Sequence, residues 1–140
     1  SSPQLAGNLD VNGNNIVSLS NGNIVIQPNG SGQAKITNLQ YDEDIHDLGT
    51  TGGTIAPDVS NGNVQTIALN NNLTLNAFSN PIAGQSLTLI INTSGTGRTL
   101  SSTMKFAGGS KTLSTTSTID VITVFYDGTN YLANLVKNYS

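Results

Sequence analysis

The stretch STIDVITVFYDGTNYLANLV, residues 117–136, determines our expectation for the fold. Four side chains of its first half share one face: Ile119, Val121, Thr123 and Phe125. Asp127-Gly128 interrupts this alternation, and an apolar run returns from Tyr131 to Val136. An Asp-Gly pair between alternating apolar runs is a strong hairpin signal. The stretch therefore predicts two antiparallel strands joined by a tight turn.

The same pattern extends upstream through residues 59–140. Leu87, Leu89 and Ile91 alternate within QSLTLIINTSG, and Gly, Asn, Ser and Pro separate about six to eight such segments. No window keeps apolar residues at helical spacing. We therefore predict an all-β protein with an antiparallel β-sandwich or jelly-roll-like head over residues 59–140. Its predicted core contains Phe78, Leu87, Leu89, Ile91, Phe106, Leu113, Val121, Val124 and Leu132.

Residues 1–40 have a different pattern. Asn-Gly pairs begin at Asn12, Asn21 and Asn29, and short apolar runs lie between them. A short strand pair alone is marginal in water, and a single chain would expose these Leu, Ile and Val side chains. We predict a β stem in which three copies pack these residues around a shared axis, which also removes free strand edges. The alternative is an N-terminal hairpin that lies on the sandwich of its own chain.

Residues 41–58, YDEDIHDLGTTGGTIAPD, connect these two regions. This segment concentrates acidic residues, contains the one histidine of the chain, and continues with a run of Gly and Thr. We interpret it as a joint between the stem and the head.

The acidic cluster in this joint is the main candidate for a metal site. It consists of Asp42, Glu43, Asp44, His46 and Asp47. In the calcium-loop pattern of an EF-hand, Asp47 would occupy the position of the turn glycine and Gly53 that of the bidentate glutamate, so the pattern fails. A looser cation site stays open beside the simpler interpretation of a solvated acidic joint. We assign no metal ligand and no cofactor.

The composition limits the classes of partner. Charged residues make up 9% of the chain and the net charge is -3, whereas about a quarter of residues are charged in typical globular proteins. The five basic residues are scattered, which argues against nucleic-acid binding. No apolar stretch is long enough for membrane insertion, and cysteine is absent. Such a surface suits a protein held in a large assembly or exposed outside cells. Because the chain starts at Ser1 without Met, we expect it to be a piece of a longer polypeptide.

The motifs of common enzymes do not fit. His46 would be the base for a serine nucleophile, but AGQSL at 83–87 does not match the G-x-S-x-G elbow. Asp120 and Asp127 flank one strand instead of facing each other across a cleft. GTGRT at 95–99 lacks the spacing of a phosphate loop. We predict that the protein is not an enzyme and assign no catalytic residue.

Three tyrosines near the C-terminal hairpin are candidates for contact with sugar rings: Tyr126, Tyr131 and Tyr139. Tyrosine combines a large contact area with a polar tip, which favours it at binding surfaces. Packing within the hairpin is the alternative for each of them.

Four segments carry a resemblance to a known family: G-T-I-A-P-D, N-P-x-A-G-Q-S, K-F-A-G-G-S-K-T-L-S and V-F-Y-D-G-T-N-Y. Over residues 47–140 the chain resembles the C-terminal domain of virion fibre and tail proteins of tailed bacteriophages, including phages of aquatic bacteria. Residues 9–32 are similar to shaft repeats of such fibres. The resemblance implies a trimeric, β-rich structural protein on a virion, and it transfers no ligand residues.

The resemblance leads us to expect a homotrimeric tail-fibre fragment on the virion surface that attaches the particle to a host-surface glycan or protein. Three copies on one axis would raise avidity without new contacts. The alternative is a capsid decoration, cement or head-fibre protein that binds other virion proteins. A glycan depolymerase is a third hypothesis, for which we expect no release of reducing ends.

Overall fold

The computed structural model describes residues 7–20, 22–95 and 97–140. The contacts within the chain divide it into two compact units, Ser1–Gln40 and Tyr41–Ser140. In the described part of the chain, no helix has the length and apolar character needed to cross a bilayer.

The N-terminal unit contains chain reversals, but residues 7–20 and 22–40 form no strand. At Asn12 and Gly13 both φ angles are positive, 47° and 77°, and the Asn14 amide donates to the Val11 carbonyl at 2.9 Å. This is the geometry for which an Asn-Gly pair is favoured. A later reversal is closed by the Gly32 amide on the Asn29 carbonyl. The predicted pair that begins at Asn21 lies partly outside the described residues.

The apolar side chains of this unit are exposed in the single chain. Leu19 is 85% exposed and Val25 is 73% exposed. The expected strands are thus not seen within one copy, because its described residues offer these side chains no cover. Their pairing among three copies stays a prediction.

The C-terminal unit contains a seven-stranded sheet. Its strands are β1 (Ile45–Ile55), β2 (Val64–Leu75), β3 (Ser86–Asn92), β4 (Leu100–Ser101), β5 (Lys105–Phe106), β6 (Ile119–Tyr126) and β7 (Tyr131–Tyr139). Short 3₁₀ helices, Val59–Asn61 and Ala107–Gly109, follow β1 and β5. The order across the sheet is β1-β2-β3-β6-β7-β5, and β4 pairs with β2 outside this path.

The first three strands are parallel. Each strand, together with the connection that follows it, forms one coil of the chain, and successive coils stack on one another. Ile45 of β1 pairs with Val64 of β2, which pairs with Thr88 of β3. The coil then turns, and Leu73 at the end of β2 pairs in parallel with Leu100 of β4. The chain therefore returns to equivalent positions coil after coil, as in a short β-solenoid.

Asparagines at the corner within β2 bind neighbouring coils. The Asn70 side chain donates to the Thr50 carbonyl at 3.3 Å, and the Asn72 side-chain oxygen accepts from the Thr99 amide at 3.0 Å. Between them Asn71 lies so close to Gly52 that a Cβ at Gly52 would be 2.8 Å from the Asn71 Cβ. At this corner, asparagine side chains thus form hydrogen bonds with backbone groups of the neighbouring coils, and the glycine allows two coils to approach closely.

The all-β prediction is confirmed, but the antiparallel sandwich or jelly-roll head is wrong. Parallel pairing joins β1, β2 and β3, and the buried side chains of successive coils form one core cluster. Short apolar segments at regular spacing are compatible with hairpins and with coils, so local pattern did not distinguish these topologies. The structure also places Ile45–Ile55, most of the predicted joint, in β1 of this sheet.

The predicted C-terminal hairpin is confirmed. β6 pairs antiparallel with β7, and its other edge pairs antiparallel with β3. The connection holds Gly128 at φ 101°, and the Asp127 carboxylate accepts from the amides of Thr129 and Asn130 at 2.8 Å and 2.6 Å. An Asp that caps the amides after it is a recurrent device in tight turns.

The predicted core was right for most of its members. Seven of them are buried: Phe78, Leu87, Leu89, Ile91, Phe106, Leu113 and Val124. The prediction was wrong for Leu132, which is 45% exposed, and for Val121, which is only partly buried. In β6 the inward positions are Asp120, Ile122 and Val124, so a charged residue occupies a position that the alternation suggested was outside.

Asp120 is fully buried and hydrogen-bonded. One carboxylate oxygen accepts from the Ser114 amide at 2.7 Å, and the other accepts from the Ser114 hydroxyl at 2.6 Å and the Asn138 amide at 3.1 Å. The carboxylate thus fixes the segment before β6 and the end of β7 to the same point. A buried charge is tolerated where such donors surround it.

We expect Asp120→Ala to lower the free energy of unfolding by about 2–4 kcal/mol, because the buried Ser114 amide would lose its acceptor. The exposed acid Glu43 supplies the control, Glu43→Ala, for which we expect a change within about 0.5 kcal/mol. Urea denaturation followed by circular dichroism measures both. Equal stability of the two variants would contradict a structural role for the Asp120 carboxylate.

Candidate interaction surface

One face of the sheet, here called the outer face, is opposite the buried core. Strand alternation and cross-strand pairing assign its members. They are Ile45, Asp47, Val64, Thr66, Ala68, Ser86, Thr88, Ile90, Asn92, Lys105, Ile119, Val121, Thr123, Phe125, Leu132, Asn134, Val136 and Tyr139.

The outer face is organised in rows that cross the strands. In one row, Phe125 lies between Ser86 and Leu132, and Leu132 in turn pairs with Lys105. A second row is entirely apolar at its centre, where Val121 lies between Ile90 and Val136. Cross-strand neighbours of this kind have Cβ atoms about 5 Å apart, so Phe125 and Leu132 form one apolar strip and Ile90, Val121 and Val136 form another. The polar row of Thr88, Thr123 and Asn134 lies between the two strips.

The exposed apolar side chains of the C-terminal unit concentrate on this face. Six large ones are 42–59% exposed there: Ile45, Ile119, Phe125, Leu132, Val136 and Tyr139. Among the described residues of the unit, two others are exposed elsewhere, Tyr41 and Ile82. Scattered apolar residues are normal on a protein surface, whereas a contiguous patch marks a contact site.

Two grooves cross the outer face. The larger, of about 650 Å³, runs along β3, β6, β7 and β5, and its wall includes Phe125, Leu132, Asn134, Thr88 and Lys105. The smaller, of about 230 Å³, lies between β1 and β6. Both are shallow and mostly apolar, which suits a broad contact better than an enclosed ligand.

The outer face carries two charges at opposite edges. Asp47 is on β1 and accepts hydrogen bonds from the Gly49 amide at 2.8 Å and the Thr66 hydroxyl at 3.2 Å. Lys105 is on β5 and donates to the Asn130 side chain at 2.6 Å. The apolar rows therefore separate one negative from one positive group.

Two of the three tyrosines considered as candidates for sugar contact belong to an aromatic cluster. Tyr131 packs edge-to-face on Phe78 with ring centroids 4.9 Å apart, and Tyr126 lies 4.6 Å from Tyr131. Burial, and secondarily the neighbouring Tyr126, raises the pKa of Tyr131. These two residues therefore follow the packing alternative, whereas Tyr139 is half exposed on the outer face.

The structure does not assemble the acidic cluster into a metal site. Asp42, Glu43 and Asp44 precede β1, and His46 and Asp47 are consecutive on it, so their side chains point to opposite faces. In residues 7–20, 22–95 and 97–140, no three His, Asp or Glu side chains are placed to hold a metal ion.

The residues considered for catalysis are also apart. Asp120 is buried near the start of β6, whereas Asp127 lies in the turn beyond its end. Ser86 of AGQSL begins β3 and lines the larger groove, and Arg98 lies before β4. His46 of β1 pairs in register with Gln65. These positions do not bring a nucleophile, a base and an acid together.

Two exposed carboxylates are held by local hydrogen bonds. The Asn80 side chain, and then Ser60, lower the pKa of Asp58, which accepts from the Asn80 amide group at 3.0 Å. The side chain and amide of Asn130, and then the Thr129 amide, lower the pKa of Asp127. Both carboxylates stabilise chain connections of the sheet.

Because the pKa of Asp58 and Asp127 is lower in the folded chain, the unfolded chain binds protons first as the pH falls. Their contribution is complete above the ordinary carboxyl pKa of about 4 and is lost as the pH drops through the lowered values. We expect Asp58→Asn with Asp127→Asn to reduce stability at about pH 6 and to weaken its decline toward about pH 3. Denaturation midpoints across this range measure the effect, and an unchanged acid slope would contradict it.

Sequence reasoning missed the outer face as a site. The available signal was the set Ile119, Val121, Thr123 and Phe125, which was recognised as one face but not as the exposed one. Comparisons with known proteins add no relative, since no family model, curated protein or solved structure matches the chain.

Proposed function

We propose that the protein is a non-enzymatic structural protein of a phage virion, a homotrimeric fibre fragment that attaches the particle to a host surface. The observation that carries this proposal is the exposure of the apolar side chains in residues 7–20 and 22–40. Full burial of one Leu, Ile or Val stabilises by about 1.5–3 kcal/mol, so a unit with many of them exposed gains strongly from association.

A closed trimer is the form of association that fits a fibre. Three copies around one axis can cover one another's apolar runs and leave no free edge for further growth. The Asn-Gly pairs recur every eight or nine residues in the sequence of this unit, as expected of a repeated shaft. The low charge of the chain suits close contact between copies, since few charges would need to lose their water.

Attachment is the activity proposed for the assembled fibre. A trimer presents three equal surfaces to a cell, and multivalent contact raises avidity even when each contact is weak. The expected ligand is a glycan or protein of the host surface.

A capsid decoration protein is the second candidate. The observation that favours it is the position of β1 at the end of the strand order, where none of the described strands pairs with its second edge. Strand addition to such an edge is a common mode of binding between proteins. In this case the partner would be a shell protein.

We expect light scattering behind a sizing column to give three times the 14.5 kDa mass of the chain. Val25→Lys places a charge in an exposed apolar run and should shift the mass toward the monomer, because the buried charge would oppose assembly. Gln33→Lys adds the same charge at an exposed polar position and should leave the trimer intact. A monomeric wild-type chain at micromolar concentration would refute the assembly.

Gold-labelled antibody on intact particles tests the location. Label at the tail is the expected result and supports the attachment fibre. Label distributed over the icosahedral shell would instead support decoration and would overturn attachment as the primary role.

A further inference from the structure

We infer that the outer face is the surface by which the C-terminal units of neighbouring copies contact one another. This inference rests on the proposed trimer and adds a contact surface distinct from residues 7–40. The occupant is a second copy of this chain.

The apolar centre of the face supports a protein surface as occupant. Ile90, Val121 and Val136 form a row without a hydrogen-bonding side chain, and Ile119 extends it toward Tyr139. A saccharide needs several converging polar groups to replace its bound water; the neighbouring row of Thr88, Thr123 and Asn134 offers such groups, but this row offers none. Branched apolar side chains on a twisted sheet are instead suited to packing against another sheet.

The charges of the face favour a copy of the same chain in a cyclic arrangement. In a ring whose outer faces turn toward the axis, the β1 edge of one sheet would lie beside the β5 edge of the next, because a cyclic contact joins two different patches. The two charges at these edges, on Asp47 and Lys105, are opposite. Neighbouring copies would therefore bring edges of opposite charge together, whereas like charges at both edges would repel.

The first test places a lysine in the apolar row. Val136 is 49% exposed on the outer face, and Ile82, 73% exposed between β2 and β3, is a matched apolar position away from it. We expect Val136→Lys to raise the concentration for half-dissociation of the trimer at least tenfold, and Ile82→Lys to leave it unchanged. Circular dichroism of each variant verifies that the unit is folded.

The second test uses the absence of cysteine from the chain. Val136→Cys and Ile82→Cys each introduce a single thiol, and a maleimide reports its exposure in the assembled protein. We expect slow labelling of Val136→Cys in the trimer, faster labelling after dilution to the monomer, and fast labelling of Ile82→Cys in both. This readout holds even if the lysine variant fails to fold.

The outcomes separate this inference from the proposed function. A trimer that resists Val136→Lys but dissociates on Val25→Lys would overturn the outer-face contact and leave the fibre intact. Fast labelling of Val136→Cys in a stable trimer would do the same. Protection that appears only when host polysaccharide is added would assign the face to a saccharide and would also overturn it. A monomeric wild-type chain would remove the proposed assembly itself.

Discussion

The structure depends on one constraint: a single coil of this chain cannot bury its own apolar side chains. Ile67 and Leu69 of β2 and Leu89 and Ile91 of β3 are nearly inaccessible because the coils lie in parallel register, each covering the next. Stability in such an arrangement is built up from contacts between neighbouring coils, so the spacing between coils has to be maintained at every corner. The glycine and asparagine corner around Gly52 and Asn71 has this role.

Buried polar groups hold two of the chain connections of the sheet in place. Gln65 is fully buried, and its amide group donates to the carbonyls of Asp58 and Gly62 at 2.7 Å and 3.0 Å, which fixes the connection between β1 and β2. Asp120 has the equivalent role for the segment before β6. Such groups give little net stability when all their bonds are made, but their loss leaves buried donors unpaired. Gln65 and Asp120 therefore hold the connecting segments in the positions that satisfy these hydrogen bonds.

The same alternation that fills the core also produces the outer face. Each inward residue of β6 has an outward neighbour, and several of these are apolar, including Ile119 and Phe125. Exposed apolar side chains on a sheet face gain free energy when another surface covers them, and the same holds for the exposed Leu and Val of residues 7–20 and 22–40. The proposed assembly of copies would cover both.

The sequence by itself determined the strand-rich character of residues 59–140, the hairpin around Asp127 and most of the core, because these follow from local alternation and turn chemistry. It also indicated that residues 1–40 have no apolar partner of their own. Only the tertiary structure decided that β1, β2 and β3 run parallel, that Asp120 points inward, and that Val121 and Leu132 point outward. Parallel stacking joins residues far apart in the chain, and a buried carboxylate depends on donors from distant segments. Local periodicity contains neither kind of information, so the face exposed by this fold could not be read from the chain alone.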